Sequence, residues 1–167
     1  ANPSLWRDTQ LNHIYGLFEV TDGIYQVRGY DMSNVTFIKG DTGWIVVDPL
    51  MSVECAQAAL ALVEENLGTF PVKAVIYSHS HVDHFGGVKG IVSEEEVQAG
   101  NVQVIAPEGF EKHAVSENIY AGTAMGRRAS YQYGTMLEGG ETGSLAIGIG
   151  MGQSKGRTSY ISPTLEI

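Results

Sequence analysis

Apolar residues fall in short runs along the first third of the chain, and turn signals separate the runs. Each run has the length and the β-branched or aromatic content of a strand. The predicted strands are 17–20, 24–28, 34–38 and 44–48. Their order and the short glycine-containing turns between them predict an antiparallel meander. The last run is apolar from 44 to 47, which predicts a strand buried on both faces beneath covering helices.

A helical pattern follows the meander. Apolar residues recur at three- and four-residue spacing from Val53 to Leu67, Ser52 can cap the start, and Gly68 can end the helix. A strand at 72–77 comes next, so the segment forms a strand–helix–strand unit that ends at a histidine-rich turn. Open α/β sheets usually hold their functional sites at the carboxyl ends of such strands.

The remaining pattern is weaker. Residues 1–16 are polar and turn-like and predict an N-terminal arm. After the histidine-rich turn, the sequence predicts a short helix or turn at 94–96, a strand at 102–106 and a helix at 110–120. The glycine-rich stretch 139–156 lacks the spacing of a nucleotide-binding loop and predicts an active-site or interface loop.

The turn after strand 72–77 concentrates metal-binding side chains. His79, His81, Asp83 and His84 place three of the five histidines and a carboxylate within six residues. On an extended backbone His79 and His81 point the same way, whereas Asp83 and His84 need the following bend to aim at a neighbouring point. Imidazoles and a carboxylate suit zinc or a similar divalent ion. Two ligand pairs predict two metal ions, and four ligands cannot close two sites.

Histidines separated by one residue also occur in surface loops that bind no metal. The complete H-x-H-x-D-H spacing is more restrictive, and it lies between an apolar strand and the pair Gly86-Gly87. That context is the one in which such a motif carries chemical meaning. The residues therefore favour a metal site.

Asp48 ends the apolar run and precedes Pro49. An aspartate before a proline often starts a turn, which is the simpler interpretation from the residues alone. A carboxylate at the end of a buried strand is otherwise a site residue. The sequence leaves both interpretations open.

A second polar segment, 125–134, contains Arg127, Arg128 and Tyr131 between glycines. Guanidinium groups offer paired donors to a sulfate, phosphate or carboxylate, which makes these residues and Asn34 candidates for substrate binding. A helix end with solvated arginines is the interpretation that residue chemistry alone favours.

Composition excludes several classes of protein. The chain is 43% hydrophobic and 17% charged, as an ordinary folded domain is. A net charge of -9 argues against a general nucleic-acid binder. No run approaches the ~18 apolar residues of a membrane span, and the first residues lack the features of an export signal. The single Cys55 allows no internal disulfide and leaves the compartment open.

Four parts of the sequence together resemble the bacterial alkylsulfatase branch of the metallo-β-lactamase superfamily. They are the metal motif 79–84 and the segments 29–37, 121–129 and 156–158. The resemblance implies that His79 and His81 bind one metal ion and that Asp83 and His84 bind a second. It also implies that Asp48 orients the loop 78–87, which contains the motif and which we call the metal loop. The nucleophile it implies is a metal-activated water, and no side chain is assigned as catalytic.

The implied fold is α/β, the αββα sandwich of the superfamily, and this chain is expected to supply its first half as a mixed sheet with covering helices. Residues 17–167 would form the N-terminal part of the catalytic domain of a longer enzyme, with two zinc ions and with the remaining ligands elsewhere. A half-domain standing alone is expected to leave an apolar sheet face open.

The implied reaction is hydrolysis of a small sulfate ester with an apolar tail, such as dodecyl sulfate, to alcohol and sulfate. The resemblance also implies a homodimer and a periplasmic or secreted protein, although no signal peptide is visible. Two alternatives remain. One is another hydrolase of the superfamily, acting on a lactam, lactone or thioester, and the other is a metal-binding fragment without activity.

Overall fold

A computed structural model describes residues 1–167 and contains one seven-stranded sheet, whose strands lie side by side in sequence order. The strands are β1 Gly16–Thr21, β2 Ile24–Arg28, β3 Val35–Lys39, β4 Trp44–Val47, β5 Val72–Ile76, β6 Gln103–Ala106 and β7 Leu165–Glu166. The helices are α1 Pro3–Asn12, α2 Val53–Leu67, α3 Glu94–Gln98, α4 Phe110–Val115 and α5 Gly122–Tyr133. None of the helices combines the length and the apolar character that crossing a bilayer requires.

The first four strands form the antiparallel meander that the apolar runs predict. Leu17 pairs with Val27 between β1 and β2, Tyr25 with Phe37 between β2 and β3, and Phe37 with Val46 between β3 and β4. The remaining pairs, from β4 to β7, are all parallel. The mixed sheet expected from the sequence is therefore confirmed.

Helix α2 makes the crossover from β4 to the parallel strand β5, as predicted. The Ser52 hydroxyl accepts a hydrogen bond from the Cys55 amide at 3.4 Å, and Gly68 ends the helix at φ 89°. A positive φ is a conformation that glycine adopts without strain. Ala56, Ala59 and Val63 form the buried stripe of the helix.

The core lies on the face of the sheet that α2 covers. Trp44 is fully buried there, and its indole meets Tyr25, Phe37 and Phe70 edge to face, with ring centroids 6.0, 6.1 and 5.7 Å away. Such aromatic pairs each contribute roughly 0.5–1.5 kcal/mol beyond the burial of their area. This cluster packs β4 against β2, β3 and the connection between α2 and β5.

The opposite face of the sheet is only half covered. The register aligns Ile38 with Ile45, Val47 with Ile76, and Ile76 with Ile105, and all five side chains are partly exposed. The apolar face that is expected to be open is therefore partly exposed. The prediction that β4 is buried on both faces is correct for one face only.

The start of the chain differs from its prediction. Residues 3–12 form α1 instead of a turn-like segment, because Asn2 and Pro3 start a helix: the Ser4 amide donates to Asn2 Oδ1 at 2.9 Å, and proline fits the first helical turn. At the other end, Asn12 Nδ2 donates to the Gly148 carbonyl at 3.0 Å. The assignment of residues 1–16 as a separate arm stays a prediction.

Candidate metal centre

The histidine-rich turn leaves the carboxyl end of β5 and bends into a single 3-10 turn, Val82–His84. This is the bend that the motif requires to bring its two halves together. The His79 ring centroid lies 4.6 Å from that of His81 and 4.1 Å from that of His84. Asp83 is nearly buried, and the Ser33 hydroxyl donates to its backbone carbonyl. The structure therefore brings all four predicted ligand residues into one cluster.

Asp48 lies directly beside this cluster. One oxygen, Oδ1, accepts from the Ser78 amide at 2.8 Å, and the other, Oδ2, accepts from the Ser78 hydroxyl at 2.7 Å and from His84 Nδ1 at 2.8 Å. Asp48 has φ 56°, in the left-handed region that aspartate tolerates better than most residues. Asp48 both turns the chain and contacts the loop.

Glycines let the backbone behind the loop approach closely. A Cβ on Gly86 would lie 2.3 Å from the Met51 carbonyl oxygen, and one on Gly87 would lie 2.1 Å from the Pro49 carbonyl oxygen. Both distances are far below van der Waals contact. The metal loop is therefore pressed against the connection between β4 and α2, the same connection that carries Asp48.

Each imidazole of the cluster has at least one ring nitrogen bound to a protein group, and His84 has both. Ser78 Oγ is 2.9 Å from His79 Nδ1, Glu117 Oε1 is 3.1 Å from His81 Nε2, and Asp48 Oδ2 is 2.8 Å from His84 Nδ1. The second nitrogen of His84, Nε2, lies 3.1 Å from Asp83 Oδ2. Metal-binding histidines in proteins usually have this arrangement, with one nitrogen for the metal and the other for an orienting partner.

The charges of these groups depend on one another. Burial alone would lower the pKa of His84, but its hydrogen bonds to Asp48 and Asp83 outweigh burial and raise that pKa to about 9. Burial acts to raise the pKa of Asp83, yet its contact with His84 lowers it overall. The pKa of His79 is lowered by burial and by the neighbouring His84 and His81. A lowered pKa favours the neutral ring of His79, which is the form that binds metals.

The donor set fits a divalent metal ion such as zinc, since three imidazoles and a carboxylate lie together and neighbouring protein groups orient the imidazoles by hydrogen bonds. No three His, Cys, Asp or Glu side chains converge on one point at coordinating distance. His84 and Asp83 instead contact each other. The residues present are those that could hold a metal ion.

A cleft of about 530 Å³ opens beside the cluster, between the metal loop and α5. His81, Asp83 and Glu117 form its polar end. The rest of its wall contains apolar, small and polar residues, namely Met32, Met51, Val82, Asn118, Gly122, Met125, Gly126, Ala129, Ser130, Tyr133, Thr135 and Gln153. The volume lies within the ~300–1,000 Å³ typical of small-molecule sites.

The candidate substrate-binding residues lie elsewhere. Asn34 lines a separate depression near α1, while Arg127 and Tyr131 line another on the outer side of α5. Arg127 and Arg128 are exposed in the middle of α5 and not at a helix end. None of the four lines the cleft beside the metal loop, and their role in binding substrate stays a prediction.

Sequence reasoning missed the buried carboxylate of Asp31. Its Oδ1 accepts from the amides of Met32 and Ser154 at 2.8 and 3.1 Å. Its Oδ2 accepts from the Ser154 hydroxyl at 2.8 Å and from the Met51 amide at 3.2 Å. Asp31 and Ser154 are 123 positions apart, so no local sequence pattern predicts their contact.

The segment 154–159, which we name the return segment, crosses behind the metal loop. Besides Ser154, its Arg157 binds Glu54 through both the amide, at 2.8 Å, and Nε, at 2.9 Å. The Ser159 hydroxyl donates to the Gly86 carbonyl at 2.8 Å. The return segment therefore ties the glycine-rich end of the metal loop to the start of α2.

Residues 28–156, most of the chain, match the family described as the Metallo-beta-lactamase superfamily. With the mixed sheet and the histidine cluster at the end of β5, this match shows that the chain belongs to the metallo-beta-lactamase superfamily. Membership implies a divalent metal ion, commonly zinc.

Within that superfamily, several similar proteins are alkylsulfatases. A linear primary-alkylsulfatase of Pseudomonas sp. is 56% identical over 164 residues, which are 98% of this chain and 24% of that protein. The alkyl/aryl-sulfatase BDS1 of Saccharomyces cerevisiae is 52% identical over 167 residues, 100% of this chain and 26% of that protein. The solved structure of the stereoselective inverting sec-alkylsulfatase Pisa1 from Pseudomonas sp. superposes with a TM-score of 0.93 at 49% identity, covering 100% of this chain and 26% of that one. The chain thus spans about a quarter of the length of these relatives.

Proposed function

We propose that the full-length protein carrying this chain hydrolyses alkyl sulfate esters. In this reaction one water molecule and one ester give an alcohol, sulfate and a proton. The proposal is supported by 52–56% identity to alkylsulfatases along the whole chain. The structural observation that carries it is the methionine-lined cleft whose polar end contains His81 and Asp83.

The proposed ligands are those of the motif, with His79 and His81 binding one ion and Asp83 and His84 a second. Zinc, when bound, lowers the pKa of water toward neutrality and polarises an ester oxygen. The protein's own contribution is orientation: Asp48 and Ser78 hold rings in the loop by the hydrogen bonds described above. Correct orientation matters because a metal ion demands fixed directions from its ligands.

The cleft is proposed to take the apolar part of the substrate. Met32, Met51 and Met125 offer unbranched, polarizable side chains that adapt to a flexible alkyl chain. With the tail there, the sulfate end would lie toward His81 and Asp83. Removing the tail from water contributes about 0.8 kcal/mol per buried methylene group, so binding should strengthen with chain length.

Two zinc ions need more ligands than the four that the motif offers, because a zinc ion usually takes four ligands. We therefore propose that residues outside these 167 complete the site in the full-length protein, and that this chain is the N-terminal part of the catalytic domain. The homodimer expected from the resemblance stays a prediction.

The test uses the purified full-length protein. We expect about two zinc ions per chain and release of sulfate from dodecyl sulfate. His79→Ala should abolish hydrolysis and reduce the zinc content. His113→Ala is the matched control, since His113 is exposed on α4, away from the loop, and should leave both unchanged.

Other outcomes would reject the proposal. Turnover of a lactam, lactone or thioester without turnover of dodecyl sulfate would assign the protein to a different hydrolase of the superfamily. Absence of both bound metal and hydrolysis in the full-length protein would reject a metal-dependent hydrolase altogether.

A further inference from the structure

A single π turn, Ser116–Tyr120, joins α4 to α5 and lies against the first half of the metal loop. Its Glu117 contacts two consecutive loop residues: Oε1 lies 3.1 Å from His81 Nε2, and Oε2 accepts from the Ser80 hydroxyl at 3.4 Å. Asn118 Nδ2 bonds the Ala114 carbonyl at 2.9 Å and reaches the Ser80 carbonyl at 3.5 Å. Isolated π turns are rare and are found frequently at functional sites.

The contact determines which nitrogen of His81 carries its proton. An ionised carboxylate can only accept hydrogen bonds, so the His81 nitrogen that faces Glu117 must be the one that donates. In the neutral ring the proton is then on Nε2, and the lone pair is on Nδ1. The choice of tautomer is set by a residue 36 positions further along the chain.

Glu117 is well placed to have this effect. Its side chain is 23% exposed, while that of His81 is 56% exposed. Glu117, the more buried of the two, therefore restricts the orientation of the His81 ring. His81 is the most loosely enclosed ring of the cluster, because His84 lies between two carboxylates and His79 is partly buried next to Ser78. Without Glu117, nothing else in the structure bonds a nitrogen of the His81 ring.

We propose that Glu117 is a positioning residue that holds the His81 ring as its Nε2-protonated tautomer, with Nδ1 free to bind a divalent metal ion. The metal-binding part rests on the proposed function, whereas the tautomer does not. Because Glu117 and Asn118 also line the cleft, the π turn links the wall of the cleft to the orientation of this ligand.

The first measurement is the zinc affinity of the full-length protein, determined by competition with a chromophoric chelator. Loss of a partner that orients a metal-binding histidine typically weakens metal affinity ~10–100-fold, which is the expected effect of Glu117→Ala. Glu117→Gln retains an oxygen that can accept a hydrogen bond from His81 Nε2, so its zinc affinity should fall less. The matched control is Glu111→Gln, an equal change of charge on α4 with no contact to the loop.

The second measurement needs no metal. Nitrogen NMR of the imidazole rings in the metal-free protein, above neutral pH, should show His81 protonated at Nε2. In Glu117→Ala the ring should shift to a mixture of tautomers, while the thermal unfolding midpoint stays close to that of Glu111→Gln. Restoration of the Nε2-protonated form in Glu117→Gln would exclude a merely structural role.

Two results would overturn the inference: a His81 ring protonated at Nδ1 in the unmodified protein, or unchanged zinc affinity and tautomer in Glu117→Ala. If the unmodified protein binds no zinc, the proposed function fails, and the NMR measurement still decides whether Glu117 sets the tautomer.

Discussion

Asp48 combines two properties that are rarely found together in one residue. Its backbone takes a left-handed conformation at the end of a buried strand, and its carboxylate accepts three hydrogen bonds from the loop 30 to 36 positions later. A substitution at this position therefore changes both the turn and the support of His84. Alanine and asparagine separate the two effects, because asparagine tolerates the left-handed region and alanine does not.

We predict that Asp48→Ala lowers metal affinity ~10–100-fold, since His84 loses its orienting partner. Asp48→Asn should lose less metal affinity, because the amide oxygen still accepts one hydrogen bond. Affinity measured by chelator competition tests this. Asp41→Ala, in an exposed turn, is the control. Wild-type affinity in Asp48→Ala would show that the carboxylate does not support the ligand.

Gly87 is a residue of the metal loop at which no side chain fits. A Cβ there would lie 2.1 Å from the Pro49 oxygen, 2.7 Å from the Ser52 oxygen and 2.9 Å from Ala56 Cβ. Two of these three atoms belong to the backbone and cannot rotate away. The clash can be relieved only by moving the metal loop away from α2.

We predict that Gly87→Ala destabilises the fold by about 3 kcal/mol or more, in the upper range for strain at a special position. Gly126→Ala is a matched control: Gly126 lies within α5 with no atom within 4 Å of its Cβ, so the change should stabilise the protein by ~0.5–1 kcal/mol. Thermal unfolding of both variants measures the contrast. Equal midpoints would contradict the close packing.

At the scale of helices and strands, sequence periodicity predicts the features that depend on residues close together in the chain. The cap at Ser52, the stripe of α2 and the pairing of the meander follow from local chemistry, and the structure confirms them. The π turn at 116–120 could not be predicted, because its apolar residues Ile119 and Tyr120 are exposed and give no periodic signal. Its position is set by contacts with Ser80 and His81.

Helix α3 is the shortest helix with a complete cap. The Ser93 hydroxyl accepts from the Glu96 amide at 3.2 Å, and Glu96 Oε2 accepts from the Ser93 amide and hydroxyl, each at 2.9 Å. These bonds, chiefly that of the backbone amide, hold the pKa of Glu96 below its ordinary value. A lowered carboxyl pKa adds stability that is present above about pH 4.5 and lost as the pH falls through the folded-state pKa.

We predict that Ser93→Ala lowers the free energy of unfolding by ~0.5–2 kcal/mol at neutral pH, the usual effect of removing a cap. The difference from wild type should shrink in acid, when Glu96 is protonated and no longer accepts both bonds. Urea unfolding at several pH values measures it. Glu95→Gln, on the same turn without a bond to Ser93, should change stability less. A difference that does not vary with pH would argue against the reciprocal bond.

At the scale of the whole molecule, Asp31 joins three segments that are distant in sequence. Its four hydrogen bonds connect the loop before β3, the connection before α2 and the return segment. The clustering of His79, His81, Asp83 and His84 could be predicted because these residues lie within six positions of one another. Asp31 and Glu117 could not, because their partners are brought near them only by the folded sheet.

We predict that Asp31→Ala lowers the free energy of unfolding by at least about 2 kcal/mol, because buried donors on Met51 and Ser154 lose their acceptor. The Ser154 amide should also exchange its hydrogen faster than in wild type. Hydrogen exchange by NMR measures both local and global opening. Asp41→Ala serves again as the exposed control. Unchanged protection at Ser154 would show that the return segment is held by its other bonds alone.

The return segment has a consequence for biosynthesis. When a ribosome has added residue 100 of this chain, all four motif residues have been synthesised, but Ser154, Arg157 and Ser159, whose hydrogen bonds hold the metal loop and the start of α2 together, have not. A nascent chain at that stage carries the four motif side chains without the bonds of the return segment. Those bonds can form only after translation has passed Ser159, so a metal ion that reaches the histidines earlier meets a loop that lacks this support.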